Sequence, residues 1–207
     1  MELIGELFWS GQAWPAAEIA GRTGEDFIFK TTGKGRHIQF REPAAWWRNF
    51  SEVDLNDANA VIGFVRRRGD PFGMLSPTNQ ADSSKWFEIH APLNLAASRW
   101  TRNRTGTSVC GEEHTIFMSA LMACPEFREG VDYRPQLLLD GGFSLAILPQ
   151  TLAGFMITSA ILHLQSRVDM ALCQQCGDWF VERRSGTRFC SPSCRAAYAT
   201  SKRKGEE

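Results

Sequence analysis

The stretch CQQCGDWFVERRSGTRFCSPSC, residues 173–194, carries four of the six cysteines of the chain in two close pairs. Two residues separate Cys173 from Cys176, and three separate Cys190 from Cys194. Each pair can present two sulfur atoms to one ion, and the segment between the pairs is long enough to fold back on itself. The spacing therefore predicts one metal site with four thiolate ligands.

The ligand set indicates which ion the site takes. Four thiolates in a tetrahedron, at about 2.3 Å from the ion, suit Zn²⁺, and a borderline-soft ion binds sulfur better than Mg²⁺ or Ca²⁺ does. An iron–sulfur cluster also uses four cysteines and stays an alternative. Four protein ligands leave no position for water or substrate, so we expect a structural zinc, worth on the order of 10 kcal/mol of metal-coupled folding. A redox-active CxxC motif is another alternative to a metal site, but it accounts only for Cys173 and Cys176 and leaves Cys190 and Cys194 without a role.

Turn and cap residues around the cysteines predict a treble-clef-like order of elements. Gly177 permits a tight turn after the first pair, and residues 179–189 predict a hairpin with a Ser-Gly tip. Ser191 can then cap a helix in which Pro192 takes the first position. We expect a small apolar cluster beside the metal, formed by Trp179, Phe180, Phe189 and Tyr198.

The same region resembles the CGNR-type zinc finger found at the C-terminus of bacterial proteins regarded as stress-induced transcription regulators. The matching residues are Cys173, Cys176, Gly177, Phe180, Arg188, Phe189, Cys190, Ser191 and Cys194. The family pattern continues with Gly-Asn-Arg, whereas Arg195, Ala196 and Ala197 follow here. The resemblance covers about the last forty residues and implies a DNA-binding regulator. The FCSPSC half also resembles small zinc proteins that inhibit bacterial DNA gyrase by binding the enzyme.

Charge is distributed unevenly along the chain. From Cys173 onward there are seven basic and four acidic residues, a net charge of +3, while the preceding residues carry 16 basic and 19 acidic ones, a net charge of −3. A basic module on an acidic body favours phosphate contacts, although a zinc–tetrathiolate centre of about −2 would also attract arginines. The residues expected to contact DNA phosphates are Arg183, Arg184, Arg188, Arg195, Lys202 and Arg203.

Three classes of function follow from these patterns. We expect a zinc-binding, DNA-binding transcription regulator without catalytic activity. The alternative is a protein-binding zinc module, similar to a topoisomerase inhibitor or an antitoxin-like regulator. An enzyme would need Cys110 and His114 as a nucleophilic pair, or together with Cys124 as a second metal site, but a packed thiol is the simpler explanation. Treble-clef nucleases use histidines, and none follows Cys173.

The rest of the chain predicts an α+β N-terminal domain over residues 1–168, packed directly against the zinc module of residues 169–207. Hydrophobic periodicity and turn residues indicate its elements. These are two strands around a glycine-containing turn (26–41), a helix capped by Asn56 (56–69), a helix that Pro92 limits or divides (84–100), a helix over 112–124, a hairpin over 134–149 and a buried helix over 150–169. The last turn of the 56–69 helix holds three arginines, which suit either a helix end or a nucleic-acid patch.

Composition favours a cytoplasmic protein. Basic and acidic residues balance at 23 each, so the overall charge indicates no partner. Glu2 and Glu6 stand where a secretory signal carries basic residues. The longest apolar stretch, 145–164, is interrupted by polar residues, so we expect no membrane span. The sequence leaves the oligomeric state open.

Overall fold

The computed structural model describes the backbone of residues 4–100, 111–137 and 141–204, and the side chains of these residues except 4, 5, 99, 111–115, 117, 203 and 204. The predicted α+β class is confirmed. The helices are α1 (Trp46–Phe50), α2 (Ala58–Arg68), α3 (Trp86–Arg99), α4 (Gly111–Ala123), α5 (Pro125–Arg128), α6 (Leu152–Gln165) and α7 (Pro192–Lys204). The strands are β1 (Ile4–Leu7), β2 (Trp9–Ala13), β3 (Ala17–Thr23), β4 (Asp26–Thr31), β5 (Arg36–Phe40), β6 (Ala81–Asp82), β7 (Val131–Leu137), β8 (Phe143–Pro149), β9 (Met170–Leu172) and β10 (Trp179–Val181).

The described strands form four small sheets. β8 lies between β1, which runs parallel to it, and β7, which runs antiparallel. β4 lies between β3 and β6, while β2 pairs with β5 and β9 with β10, all antiparallel. The strands of the hairpin predicted over 134–149 are present as β7 and β8, and residues 138–140 of their connection lie outside the described residues.

The two strands predicted over 26–41 are present as β4 and β5, but they do not pair around one turn as expected. They belong to different sheets, because β4 pairs with the preceding β3. A connection of two residues joins that pair, and its Gly24 has a φ of +62°, which glycine adopts without strain. The short connection brings β3 and β4 together at a lower entropic cost than the longer loop after β4.

α6 runs through the centre of the core, as its apolar sequence predicts. Every residue of this helix except Leu162 and Gln165 is buried. Thr151 caps its N-terminus, since its hydroxyl oxygen accepts a hydrogen bond from the Gly154 N–H at 3.1 Å. Within the described ranges, none of the helices combines the length and the apolar character that a membrane crossing requires.

α1 links two clusters of aromatic rings. The first cluster consists of Trp9, Phe40, Trp46 and Phe155. The second consists of Phe29, Phe50, Phe64 and Trp86. Because Trp46 and Phe50 both lie on α1, this five-residue helix fixes the relative position of the two clusters. Stacked and edge-to-face ring pairs stabilise a core beyond the area that they bury.

Two helices differ from their predictions in detail. α2 is capped by Asp57 rather than Asn56, because the Asp57 carboxylate accepts from the Asn59 N–H at 2.9 Å. α3 continues through Pro92, although a proline at this position predicts that the helix ends or divides there. Ile89 and Leu93 are fully buried on one face of α3, so packing holds the helix together despite the hydrogen bond that proline removes. The helix predicted over 112–124 corresponds to α4.

A buried hydrogen bond joins α1 to α6. The Trp47 indole N–H donates to Nδ1 of His163 at 3.0 Å, so this histidine is neutral. Burial lowers the pKa of His163 to about 4, against a smaller opposing effect of a hydrogen bond to the Pro43 backbone. The unfolded chain therefore binds more protons than the folded chain between that value and the ordinary pKa of 6.5.

Replacing His163 by Gln tests this contribution. The neutral histidine stabilises the fold at pH 7, and the contribution declines as the pH falls towards the folded-state pKa. We expect the difference in unfolding free energy between the wild type and His163→Gln to shrink by about 2 kcal/mol between pH 7 and pH 5. Urea titrations at both pH values measure it, and acid effects on the cysteines cancel because both proteins contain them. A difference that does not change with pH would contradict the assignment.

Candidate metal centre

The four predicted cysteine ligands lie together. Their sulfur atoms are all within 4.8 Å of one another, with Cys176 Sγ 3.7 Å from Cys190 Sγ and the latter 3.5 Å from Cys194 Sγ. A disulfide needs about 2.05 Å between sulfurs, so these thiols are not bonded to one another. Around one ion with metal–sulfur bonds of about 2.3 Å, the edges of a tetrahedron are about 3.8 Å. The observed distances fit four ligands of a single ion.

The first cysteine pair lies on a turn between β9 and β10. These strands pair so that Leu172 lies opposite Trp179. Inside the turn, the Cys173 N–H donates to the Asp178 carbonyl and the Gly177 N–H donates to the Cys173 carbonyl, both at 2.9 Å. Gly177 has a φ of +74°, as the predicted tight turn requires. We call residues 173–178 the metal-binding turn.

The prediction of a hairpin over 179–189 is wrong, because its first strand pairs with a different strand than expected. β10 pairs with β9, which precedes the metal-binding turn, and residues 182–189 return without a strand. A hydrogen bond of 3.0 Å from the Gln174 N–H to the Arg188 carbonyl ends this return beside the turn. β9 pairs with β10 because only the short metal-binding turn separates these two strands. The return segment still brings Cys190 next to Cys173 and Cys176.

The second cysteine pair lies at the start of α7, as predicted. The Ser191 hydroxyl accepts a hydrogen bond from the Cys194 N–H at 3.2 Å, which caps the helix, and Pro192 takes its first position. Cys190 therefore precedes the helix and Cys194 lies in its first turn. Of the predicted treble-clef-like order of turn, hairpin and helix, the turn and the helix are present, and a return without a strand stands in place of the hairpin.

The cysteines differ in burial and acidity. Cys173 is buried, Cys194 is half-buried, and Cys176 and Cys190 are exposed. Burial acts to raise the pKa of Cys173, but hydrogen bonds from the backbone N–H groups of Cys176, Cys190 and Gln175 bring it down to about 6. Burial and the neighbouring sulfur atoms raise the pKa of Cys190. Crowded sulfurs can all be thiolates only around a cation, which is what a soft divalent ion supplies.

Asn49 on α1 joins the N-terminal body, residues 4–168, to the module that follows. Its carboxamide oxygen accepts from the Trp179 N–H at 2.6 Å, and its amide nitrogen donates to the Trp179 carbonyl at 3.1 Å. The Trp179 ring contacts Trp100 and the guanidinium of Arg48. Trp179 therefore packs on the body rather than in the predicted cluster beside the metal, where the rings of Phe189 and Tyr198 lie 5.1 Å apart.

Two of the three arginines that end α2 bond other parts of the chain, and the nucleic-acid patch stays an alternative to a helix end. Arg66 donates through Nε to the Ala17 carbonyl at 2.7 Å. Arg68 forms an ion pair of 2.7 Å with Asp178 of the metal-binding turn and lies over the Trp46 ring at 4.4 Å. Burial lowers the pKa of Arg68, while the negative charges of Asp178 and Cys176 act to raise it. The sequence marks Arg68 only as one of three arginines at a helix end and does not mark Asn49, because their contacts with the module belong to no motif.

A cleft of about 630 Å³ separates the body from the module. Trp46 and Arg68 line it from the body, and Phe180, Phe189 and Cys190 line it from the module. One of the four sulfur ligands therefore borders a cleft, which makes the centre accessible from that side.

The basic residues predicted to contact DNA differ in their surroundings. Arg183 forms an ion pair with Glu42 of the body. The exposed basic side chains are Arg183, Arg184, Arg188, Arg195 and Lys202. The side chain of Arg203 lies outside the described residues. Five of the six predicted contact residues are thus exposed, and one of these five, Arg183, pairs with the body.

Of the other candidate ligands, Cys124 alone lies among the described side chains, and it is not part of the centre. Cys110 and the side chain of His114 lie outside the described residues. Cys124 is buried at the end of α4, where burial and Glu126 raise its pKa to about 11. Among the described side chains, the four module cysteines form the only group arranged to hold a metal ion.

A scan of family models and searches of curated proteins and of solved structures returned no match to this chain. The resemblance to the CGNR-type zinc finger therefore stays a prediction from the cysteine motif.

The cysteine geometry predicts one metal ion per chain. Elemental analysis should find one equivalent in the wild type, whereas Cys190→Ser should lose most of it, because three sulfurs bind a soft ion less tightly. Cys124→Ser is the matched control, since it removes a buried thiol outside the centre, and it should keep its metal. Equal metal content in Cys190→Ser and Cys124→Ser would contradict the assignment.

Proposed function

We propose that this chain is a zinc-binding regulatory protein whose zinc is structural and whose C-terminal module contacts DNA. The single observation that carries the zinc assignment is the set of four sulfur atoms within 4.8 Å of one another. Four sulfur ligands fill a tetrahedral shell and leave no position for water or substrate. The metal then stabilises the module and activates no reactant, so we propose that the chain is not an enzyme.

The sulfur spacing also favours zinc over the iron–sulfur alternative. A cluster places several iron and sulfide atoms between its four thiolates, and it therefore holds them further apart than one ion does. The distances of 3.5 and 3.7 Å between neighbouring sulfurs suit one small ion. Among single ions, Zn²⁺ combines a preference for thiolates with tetrahedral geometry.

Exposed basic side chains on the module support the DNA contact. Arg184 and Arg188 lie on the return segment, and Arg195 and Lys202 lie on α7, so the positive charges are carried by backbone that the metal would hold rigid. Such residues bind phosphate oxygens and position a protein on DNA without reading its sequence. The resemblance to CGNR-type proteins supports the same function, and the pairing of Arg183 with Glu42 lowers its expected contribution.

A salt titration of duplex DNA binding tests the proposal on the zinc-loaded full chain. Phosphate contacts release counterions, so the logarithm of the binding constant should fall linearly with the logarithm of salt concentration. The double variant Arg184→Ala/Arg188→Ala should bind more weakly and lower the magnitude of this slope by about two, the effect of two lost contacts. Arg134→Ala, at an exposed arginine on β7, is the matched control and should behave as the wild type.

Two results would contradict the DNA contact. One is the absence of binding to any duplex at low salt when zinc is present. The other is an equal loss of DNA affinity in the double variant and in Arg134→Ala, which would mean that the loss reflects only the net charge of the protein. Co-purification of a protein that binds the module, without DNA binding, would favour the protein-binding alternative.

A further inference from the structure

Arg68 lies where α2 reaches the metal-binding turn. Its Nη2 donates to the Asp178 carboxylate at 2.7 Å, and the two side chains are only 22% and 19% exposed. Asp178 is itself part of the turn that carries the first cysteine pair, since its carbonyl accepts the Cys173 N–H. A residue of the body therefore holds the segment that positions two of the four sulfur atoms.

The core of the body holds the Arg68 side chain in place. Its guanidinium lies 4.4 Å from the centre of the Trp46 ring, and Trp46 is buried against Phe40 and Phe155. A guanidinium fixed by an aromatic face and by a carboxylate loses little further freedom when a metal binds. Arg68 is thus an ordered charge beside the turn rather than a mobile surface side chain.

The sign of this charge matters for the metal. Zinc with four thiolates has a net charge of about −2, and the Asp178 carboxylate adds to it. The Cys176 thiolate is close enough to act electrostatically on Arg68. Because Arg68 and Asp178 are mostly buried, their charges interact more strongly than fully exposed charges would. The module's Arg183 instead pairs with Glu42.

We propose that Arg68 is a positioning residue of the metal centre. From the body, it fixes the metal-binding turn through Asp178 and offsets the charge of the thiolates, so that metal affinity depends on the body as well as on the four ligands. This inference rests on the metal site of the proposed function. Partners that orient metal ligands change affinity by about 10- to 100-fold when they are removed.

Chelator competition on the full chain measures the effect. We expect Arg68→Met to bind Zn²⁺ about 10- to 100-fold more weakly than the wild type. Arg68→Lys keeps the charge but loses the planar fork, and it should lose about threefold or more. Arg66→Met is the matched control. It removes a guanidinium from the same helix that bonds the body backbone and not the module, and its zinc affinity should stay within about twofold of the wild type.

The outcomes separate this inference from the proposed function. A wild type that binds no zinc overturns both. A wild type that binds zinc, with affinities in Arg68→Met and Arg68→Lys equal to that of Arg66→Met, overturns the role of Arg68 alone. If Arg68→Met does not fold, as circular dichroism would reveal, Arg68→Lys decides the matter by the same comparison.

Discussion

The gathering of four sulfur atoms around one point is the constraint on which the end of the chain depends. Beyond Ala171, Cys173 is the only buried residue among the described side chains. A segment with so little buried apolar surface cannot offset its conformational entropy through a core of its own. In the proposed function, metal–thiolate bonds supply that free energy. They also hold the exposed basic side chains of the return segment and α7 in a fixed arrangement.

The body also holds the module in place, because α1 of the body bonds directly to the module. Asn49 satisfies both backbone groups of Trp179, and Trp47 bonds His163 on α6 from the same short helix. Arg68 adds a charge contact from α2. The body and the module thus meet through directional polar bonds and the edge-to-face contact of Trp100 with Trp179, and the cleft between them lies beside these contacts.

Local signals predicted the parts of the structure that local physics determines. The cysteine spacing identified the ligands, Ser191 and Pro192 marked the start of α7, and apolar periodicity located α2 and α6. Strand pairing was predicted less well, because a strand such as β10 has more than one partner within reach and the pattern of its own residues does not select one. Contacts made across the chain, such as Arg68 with Asp178, leave no periodic signature at all. The domain boundary near residue 168, the CGNR resemblance and the DNA contact stay predictions.

X-ray absorption at the zinc edge of the purified protein tests the central claim most directly, because it reports the number and type of atoms around the metal. We predict a shell of four sulfur atoms at about 2.3 Å, with no nitrogen or oxygen ligand. A shell that contains oxygen or nitrogen, or a metal–metal distance typical of a cluster, would contradict a closed four-cysteine zinc site.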